Sequence, residues 1–284
     1  MVNKYIRHFA KVLGISLVAL NSVIGSVVFY RNMNSHTLNP PPQKFPQPKC
    51  EDVTPQNLSD LVSELRRGAR KDLESILIDP TRIPSEAELR RMAYEDLPYI
   101  ATVSGKSKIY SPSIIVVDEF PTYLKILMGT ERIRSVGGMY LFLTDSVLIK
   151  KAPLAIINHR LMHELSHSQL FNAEGIYAFF NWYTFPLNIS RDSDETLTQI
   201  VAYESEARQS LNGDLIAKWT LLGNLENSFL VYNKSPLLNR YVIDQKTAHE
   251  YDIIPIQLLL DLMSCRITDY RGVKIDALAN ILKR

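Results

Sequence analysis

His163, Glu164 and His167 are the residues of this chain whose types and spacing could do chemistry. They stand in the run His163-Glu164-Leu165-Ser166-His167, which reads H-E-x-x-H. On a helix, residues four apart lie on one face, one above the other. Two imidazoles so spaced can hold one zinc ion. The glutamate next to the first is then placed to take a proton from a water bound to that ion. The cofactor this chemistry requires is Zn2+, with His163 and His167 as metal ligands and Glu164 as the catalytic base.

The elements around the motif suit it. Pro153 is followed by Leu154, Ala155, Ile156, Ile157, Leu161, Met162 and Leu165 at helical spacing, and proline is favoured at a helix start, where its missing N–H costs nothing. Before it, Gly137 to Thr144 carries aromatic and branched residues and reads as a strand, with the pattern continuing to residue 148. A strand followed by an H-E-x-x-H helix resembles the arrangement of zincin-type zinc peptidases. An extended substrate would pair with the strand edge over Gly138 to Thr144.

A catalytic zinc takes three protein ligands and keeps one position open. The metzincin spacing H-E-x-x-H-x-x-G-x-x-H is excluded, because Leu170 and Ala173 occupy its last two fixed positions. The carboxylates of the next helix, within Asp194 to Arg208, are the better candidates. There the chain resembles the gluzincin metallopeptidases, and most nearly the membrane-associated group that includes the CAAX prenyl endopeptidases and their bacterial relatives. In that group a downstream motif E-Y-x-A-D supplies the third ligand from its first glutamate. Glu204-Ser205-Glu206-Ala207-Arg208 matches the Glu and Ala and departs at the last position, which is Arg208. The resemblance covers residues 135 to 212 and implies Glu204 as the third zinc ligand, with Glu206 and Glu195 as alternatives. Residues 204 and 206 point about 200° apart on a helix, so one of them at most can face the metal.

Tyr203, Tyr241, His249 and Tyr251 are candidates for a second electrophile at a developing oxyanion. His159, one turn before His163, reads as a surface histidine, with a group supporting the metal ligands as the alternative. The aromatic run Tyr177, Phe179, Phe180, Trp182, Tyr183 and Phe185 reads as core packing beneath a loop.

The chain has 284 residues, of which 46% are hydrophobic and 22% charged, with 32 basic against 30 acidic side chains. That balance, with no basic stripe bearing interleaved aromatics, excludes a nucleic-acid partner. Residues 12 to 30 carry no charge; Lys4, Arg7 and Lys11 precede them and Arg31 follows. Nineteen residues at the helical rise just span a hydrocarbon core, and the flanking cations keep the N-terminus in the cytoplasm. Residues 1 to 31 are therefore a signal anchor or a signal peptide, the anchor being preferred. Residues 32 to 50 hold five prolines, at 40, 41, 42, 46 and 48, and read as an extended spacer. Cys50 and Cys265 fit no zinc-ribbon or redox motif; they are two free thiols or, if the domain lies outside the cytosol, one disulfide joining the two ends of the domain.

Residues 51 to 284 read as an α+β domain, mostly helical, with a small sheet before the H-E-x-x-H helix. Thr54-Pro55 and Ser85-Glu86-Ala87-Glu88 open its first two helices, residues 109–120 read as a strand, and helical patterns recur at 195–212, 214–228, 247–265 and 276–283. The expectation is a zinc metallopeptidase tethered by an N-terminal membrane helix and acting in the periplasm or elsewhere outside the cytosol. Its substrate would be a polypeptide or the peptide part of peptidoglycan. The competing readings are a zincin scaffold kept as a non-catalytic envelope binding or assembly module, and a hydrolase of non-peptide amides.

Overall fold

The computed structural model describes residues 36–37, 45, 50, 53–124, 136–141, 144–174, 188–234 and 252–283. The apolar segment 12–30, the aromatic run 177–185 and the candidates Tyr241, His249 and Tyr251 lie outside them. Among the described residues no helix is long and apolar enough to cross a membrane. The described residues form an α+β fold, with helices dominant and three small sheets.

Helix α1 (Pro55–Ser75) starts where its sequence dictates. Thr54 is extended and its hydroxyl accepts the Asn57 N–H at 3.2 Å, with Pro55 in the first helical position. Its buried stripe is Leu58, Val62, Ala69 and Leu73. Arg66 crosses to helix α5 (Leu215–Lys234), where it bonds Glu226 and lies 4.6 Å over the Trp219 ring. Helix α2 (Glu86–Val103) is capped by the Ser85 hydroxyl, which accepts the Glu88 N–H at 3.2 Å.

The principal sheet has the order β3–β5–β4, from Ser113–Val117, Ser146–Lys150 and Gly138–Leu141. Strand β5 is central, parallel to β3 and antiparallel to β4, with Tyr140 opposite Val147. Its side chains alternate, as strand geometry requires. Val147 and Ile149 enter the main core, while Leu148 joins a small cluster with Phe120, Leu124 and Val136 on the other face. The single strand expected over 138–148 is thus two antiparallel strands. The chain turns back at Asp145, whose φ of 46° is a conformation that Asp adopts more readily than most residues.

Helix α3 (Leu154–Glu174) carries H-E-x-x-H and packs between this sheet and the remaining helices. Its first amides do not go unpaired: Leu154 and Ala155 donate to the carbonyls of Arg82 and Pro80 at 2.8 and 3.0 Å. Helix α4 (Asn188–Leu211) runs antiparallel beside it. Helix α6 (Ile256–Met263), the hairpin β6–β7 (Asp269–Tyr270 and Val273–Lys274) and helix α7 (Asp276–Leu282) complete the main core.

The proline-rich segment is not a free spacer at its described points. Strand β1 (His36–Thr37) pairs with β2 (Lys108–Ile109), Phe45 lies 5.1 Å from the Arg208 guanidinium, and Cys50 is disulfide-bonded to Cys265. Phe45 also packs on the main core, which accounts for its place there. The disulfide closes a loop across 215 residues, and cross-links over loops that long stabilise mainly by restricting the unfolded chain. The double variant Cys50→Ser, Cys265→Ser is expected to lose about 2–5 kcal/mol of unfolding free energy. Urea denaturation of the two proteins checks this, and an unchanged midpoint would count against it.

Candidate metal centre

Three side chains from two helices converge. The Nε2 atoms of His163 and His167 are 3.1 Å apart on α3. Glu195 on α4 brings one carboxylate oxygen to 2.9 Å from the first and the other to 3.4 Å from the second. Together they form a group that could hold a metal ion. The site is enclosed, with His163, Glu164 and Glu195 all at 3% exposure or less and only the edge of His167 reaching solvent. Burial lowers the pKa of His163 against the pull of Glu195, which favours the neutral imidazole that a metal requires. The other nitrogen of His167 faces the Thr198 hydroxyl at 3.2 Å, which fixes its ring.

Glu164 projects from the same helix toward strand β4. The backbone N–H of Tyr140 donates to its carboxylate, and burial pushes its pKa up to about 8, helped by the charges of Glu195 and Asp252 and opposed by His167. The approach is close: a Cβ placed on Gly138 would lie 2.8 Å from the Glu164 Cγ. Gly138 is therefore set by contact with Glu164, and any larger residue there would push that side chain away.

Glu195 rather than Glu204 meets the histidines, and the reason is helical phase. Residues 195 and 204 are nine apart, which turns a side chain by roughly half a revolution. Glu204 accordingly points away from α3. Its carboxylate accepts the N–H groups of Ala277 and Leu278, each at 3.0 Å, and pairs with Arg208 at 3.0 Å. Burial raises its pKa to about 7 against those donors. It is an anchor for helix α7. Residues 195 and 206 are eleven apart, within about 20° of the same face, and Glu206 does face α3. It meets His159 at 3.1 Å, not the metal pair.

His159 is fully buried, not on the surface. Its Nδ1 faces Glu206 and its Nε2 faces the Gln199 side-chain oxygen at 2.9 Å; Asn158 adds a contact to Glu206 at 3.5 Å. The Tyr203 ring stands edge-on at 5.1 Å. Desolvation lowers the His159 pKa, but Glu206, Asp252 and Gln199 outweigh it and raise the value to about 9. Tyr203, an expected electrophile, is buried in the core, where its hydroxyl donates to the Asp252 carbonyl at 2.8 Å and lies 3.4 Å from Ser228. Sequence reasoning passed over Thr198 and the Tyr140 amide; the signal for Thr198 was its position three residues from Glu195, on the same helical face.

No family model, curated protein or solved structure matches this chain.

Two outcomes follow. Removing Glu204 leaves Arg208 buried and two amides without an acceptor, so Glu204→Ala is expected to cost about 3–5 kcal/mol while leaving metal stoichiometry intact in the folded fraction. Loss of metal without loss of stability would reverse that assignment. For His159 the folded pKa of about 9 exceeds the ordinary 6.5. The stability it contributes is therefore complete below pH 6.5 and is lost as pH rises through 9. Between those limits the wild type should lose unfolding free energy with a slope that the double variant His159→Leu, Glu206→Leu lacks, as read from thermal unfolding at a series of pH values.

Proposed function

We propose that this protein is a zinc-dependent peptidase, tethered to a membrane through residues 12–30 and working outside the cytosol on a polypeptide or the peptide part of peptidoglycan. The observation that carries the reading is the spacing of the three donor atoms. Ligands in a tetrahedron at zinc distances of about 2.0–2.1 Å lie roughly 3.3 Å from one another. Here the two Nε2 atoms are 3.1 Å apart, one Glu195 oxygen lies 2.9 Å from His163 Nε2 and the other lies 3.4 Å from His167 Nε2, and one ligand atom from each residue fits within 4.8 Å of the others. Two neutral-capable imidazoles and one carboxylate are also the donor set of one class of catalytic zinc site.

When bound, zinc supplies a water of near-neutral pKa and polarises the carbonyl to be attacked. Glu164 does the proton work. Its raised pKa marks a carboxylate whose charge is poorly solvated, which makes it a stronger base than an exposed glutamate. It takes the proton from the attacking water at its carboxylate oxygen and delivers it to the leaving amine. The Tyr140 amide holds that carboxylate at the strand. Glu195 balances charge beside the histidines, and Thr198 keeps the His167 ring in place. Among the described residues strand β4 is an edge of the sheet, and an extended chain would align along it. The disulfide supports a location outside the cytosol, because such bonds persist in oxidising compartments.

The test separates metal binding from chemistry. The full-length chain should hold about one zinc by mass spectrometry, lost in His163→Ala and in Glu195→Gln. Glu164→Gln should keep its zinc and cleave an unstructured protein at least about 100-fold more slowly. Zinc-loaded, folded wild type that cleaves nothing would favour a binding module. A folded wild type that takes up no zinc after loading would remove the reading altogether.

A further inference from the structure

A second feature lies along the same helix stripe. Ile156, Arg160, His163, Glu164 and His167 recur at three- and four-residue spacing on α3, so they share a face. One turn before Glu164 that face opens into a cavity of about 340 Å³ between α3 and α5. Its lining includes Ile156, Arg160, Asn224, Leu230, Lys234 and Asp252.

Three observations define what would fill it. The charged lining residues are two cations, Arg160 and Lys234, against one anion, Asp252, and Asp252 stands 3.6 Å from Arg160. The Asn224 side-chain nitrogen is buried and finds no hydrogen-bond partner among the described residues. A buried donor left unmade costs free energy that a ligand acceptor would recover. Beside these donors, Ile156 and Leu230 are 42% and 57% exposed, large for apolar side chains at a concave site. The cavity therefore asks for an anion with acceptor oxygens attached to an apolar stem.

Its position relates it to the metal centre. The Arg160 guanidinium lies against Gly137, where a Cβ would collide with it, just as the Glu164 side chain lies against Gly138. One seam between α3 and the start of β4 thus runs from the base to the cavity. Arg160 and Glu164 are separated by about 6 Å of helix rise, and an extended peptide covers that in roughly two residues.

We propose that this cavity recognises a carboxylate on the peptide substrate, carried roughly two residues from the bond that reacts. The assignment rests on the peptidase reading for the identity of the ligand. A carboxylate there accepts from Asn224 Nδ2 and faces Arg160 and Lys234, and the apolar part of the same residue covers Ile156 and Leu230. Its source is either a free C-terminus or an acidic side chain.

The experiment uses the full-length zinc-loaded chain carrying Glu164→Gln and three acetylated six-residue Ala/Leu peptides. One ends in a free carboxylate, the second is its amide, and the third is the amide with one internal Glu. Titration calorimetry should give at least one carboxylate peptide binding about tenfold tighter than the plain amide, the scale of one charge-assisted hydrogen bond. Preference for the first assigns the cavity to a C-terminus, and preference for the third to an acidic side chain. The preference should fall to within about twofold in Lys234→Met and in Asn224→Leu, each one hydrogen bond or charge short. Equal binding of all three peptides, a preference that survives both substitutions, or no binding by the folded protein would overturn the proposal. Cleavage by the chain with Glu164 intact is scored separately. A carboxylate preference without cleavage removes the peptidase reading and leaves the subsite, and cleavage without the preference does the reverse.

Discussion

Helices α3 and α4 meet across a row of buried acids and imidazoles, and the cost of desolvating those groups sets how the two helices align. Glu206 lies against His159, and Glu195 lies between His163 and His167. Each carboxylate is at most 2% exposed. An ionised group taken that far from water must find a partner of opposite sign or hydrogen-bond donors nearby, or it destabilises the fold by several kcal/mol. Sliding α4 by one turn would break both pairs at once. The two antiparallel helices are thereby held in one register, and the metal-binding group inherits its geometry from that constraint. A site built on two rigid elements can keep donor atoms near 3 Å apart before any ion arrives.

The sheet supplies the other half of the frame. Central strand β5 is buried on both faces, so the sheet cannot shift without exposing Val147, Leu148 or Ile149. That fixes β4, whose opening glycines leave room for two side chains of α3. Arg160 lies over the first and Glu164 over the second. The α3 side chains lie against the strand backbone there, so Glu164 is held by packing as well as by the Tyr140 amide.

Much of this was legible in the residues. The starts of α1 and α2 follow from Thr54-Pro55 and Ser85, whose hydroxyls cap as short polar side chains do. The α+β character and the helix bearing His163 and His167 were also readable, because their patterns are local. Glu195 was harder. Motif likeness points to Glu204, whereas the face of α4 that meets α3 is decided by tertiary packing. Periodicity held part of the answer, since positions 195 and 206 share a phase that 204 lacks. His159 reads as a surface residue until its partner Glu206, 47 residues on, is brought to it. The docking of Phe45 and the pairing of His36–Thr37 with Lys108–Ile109 depend on contacts that composition cannot carry, because a proline-rich stretch is equally at home in solvent or laid on a surface.

Glu204 connects the middle of the chain to residues that are synthesised long after it. Its carboxylate is fully buried and takes its two backbone donors from Ala277 and Leu278, while Cys50 takes its partner from position 265. While a nascent chain lacks those last residues, α4 holds a buried acid without its amide donors, and the loop begun at Cys50 stays open. Helix α4 is also the one that presents Glu195. Assembly of the group that could hold a metal is thereby coupled to the arrival of residues 265 to 278, so that a product lacking them loses the support on which that group stands.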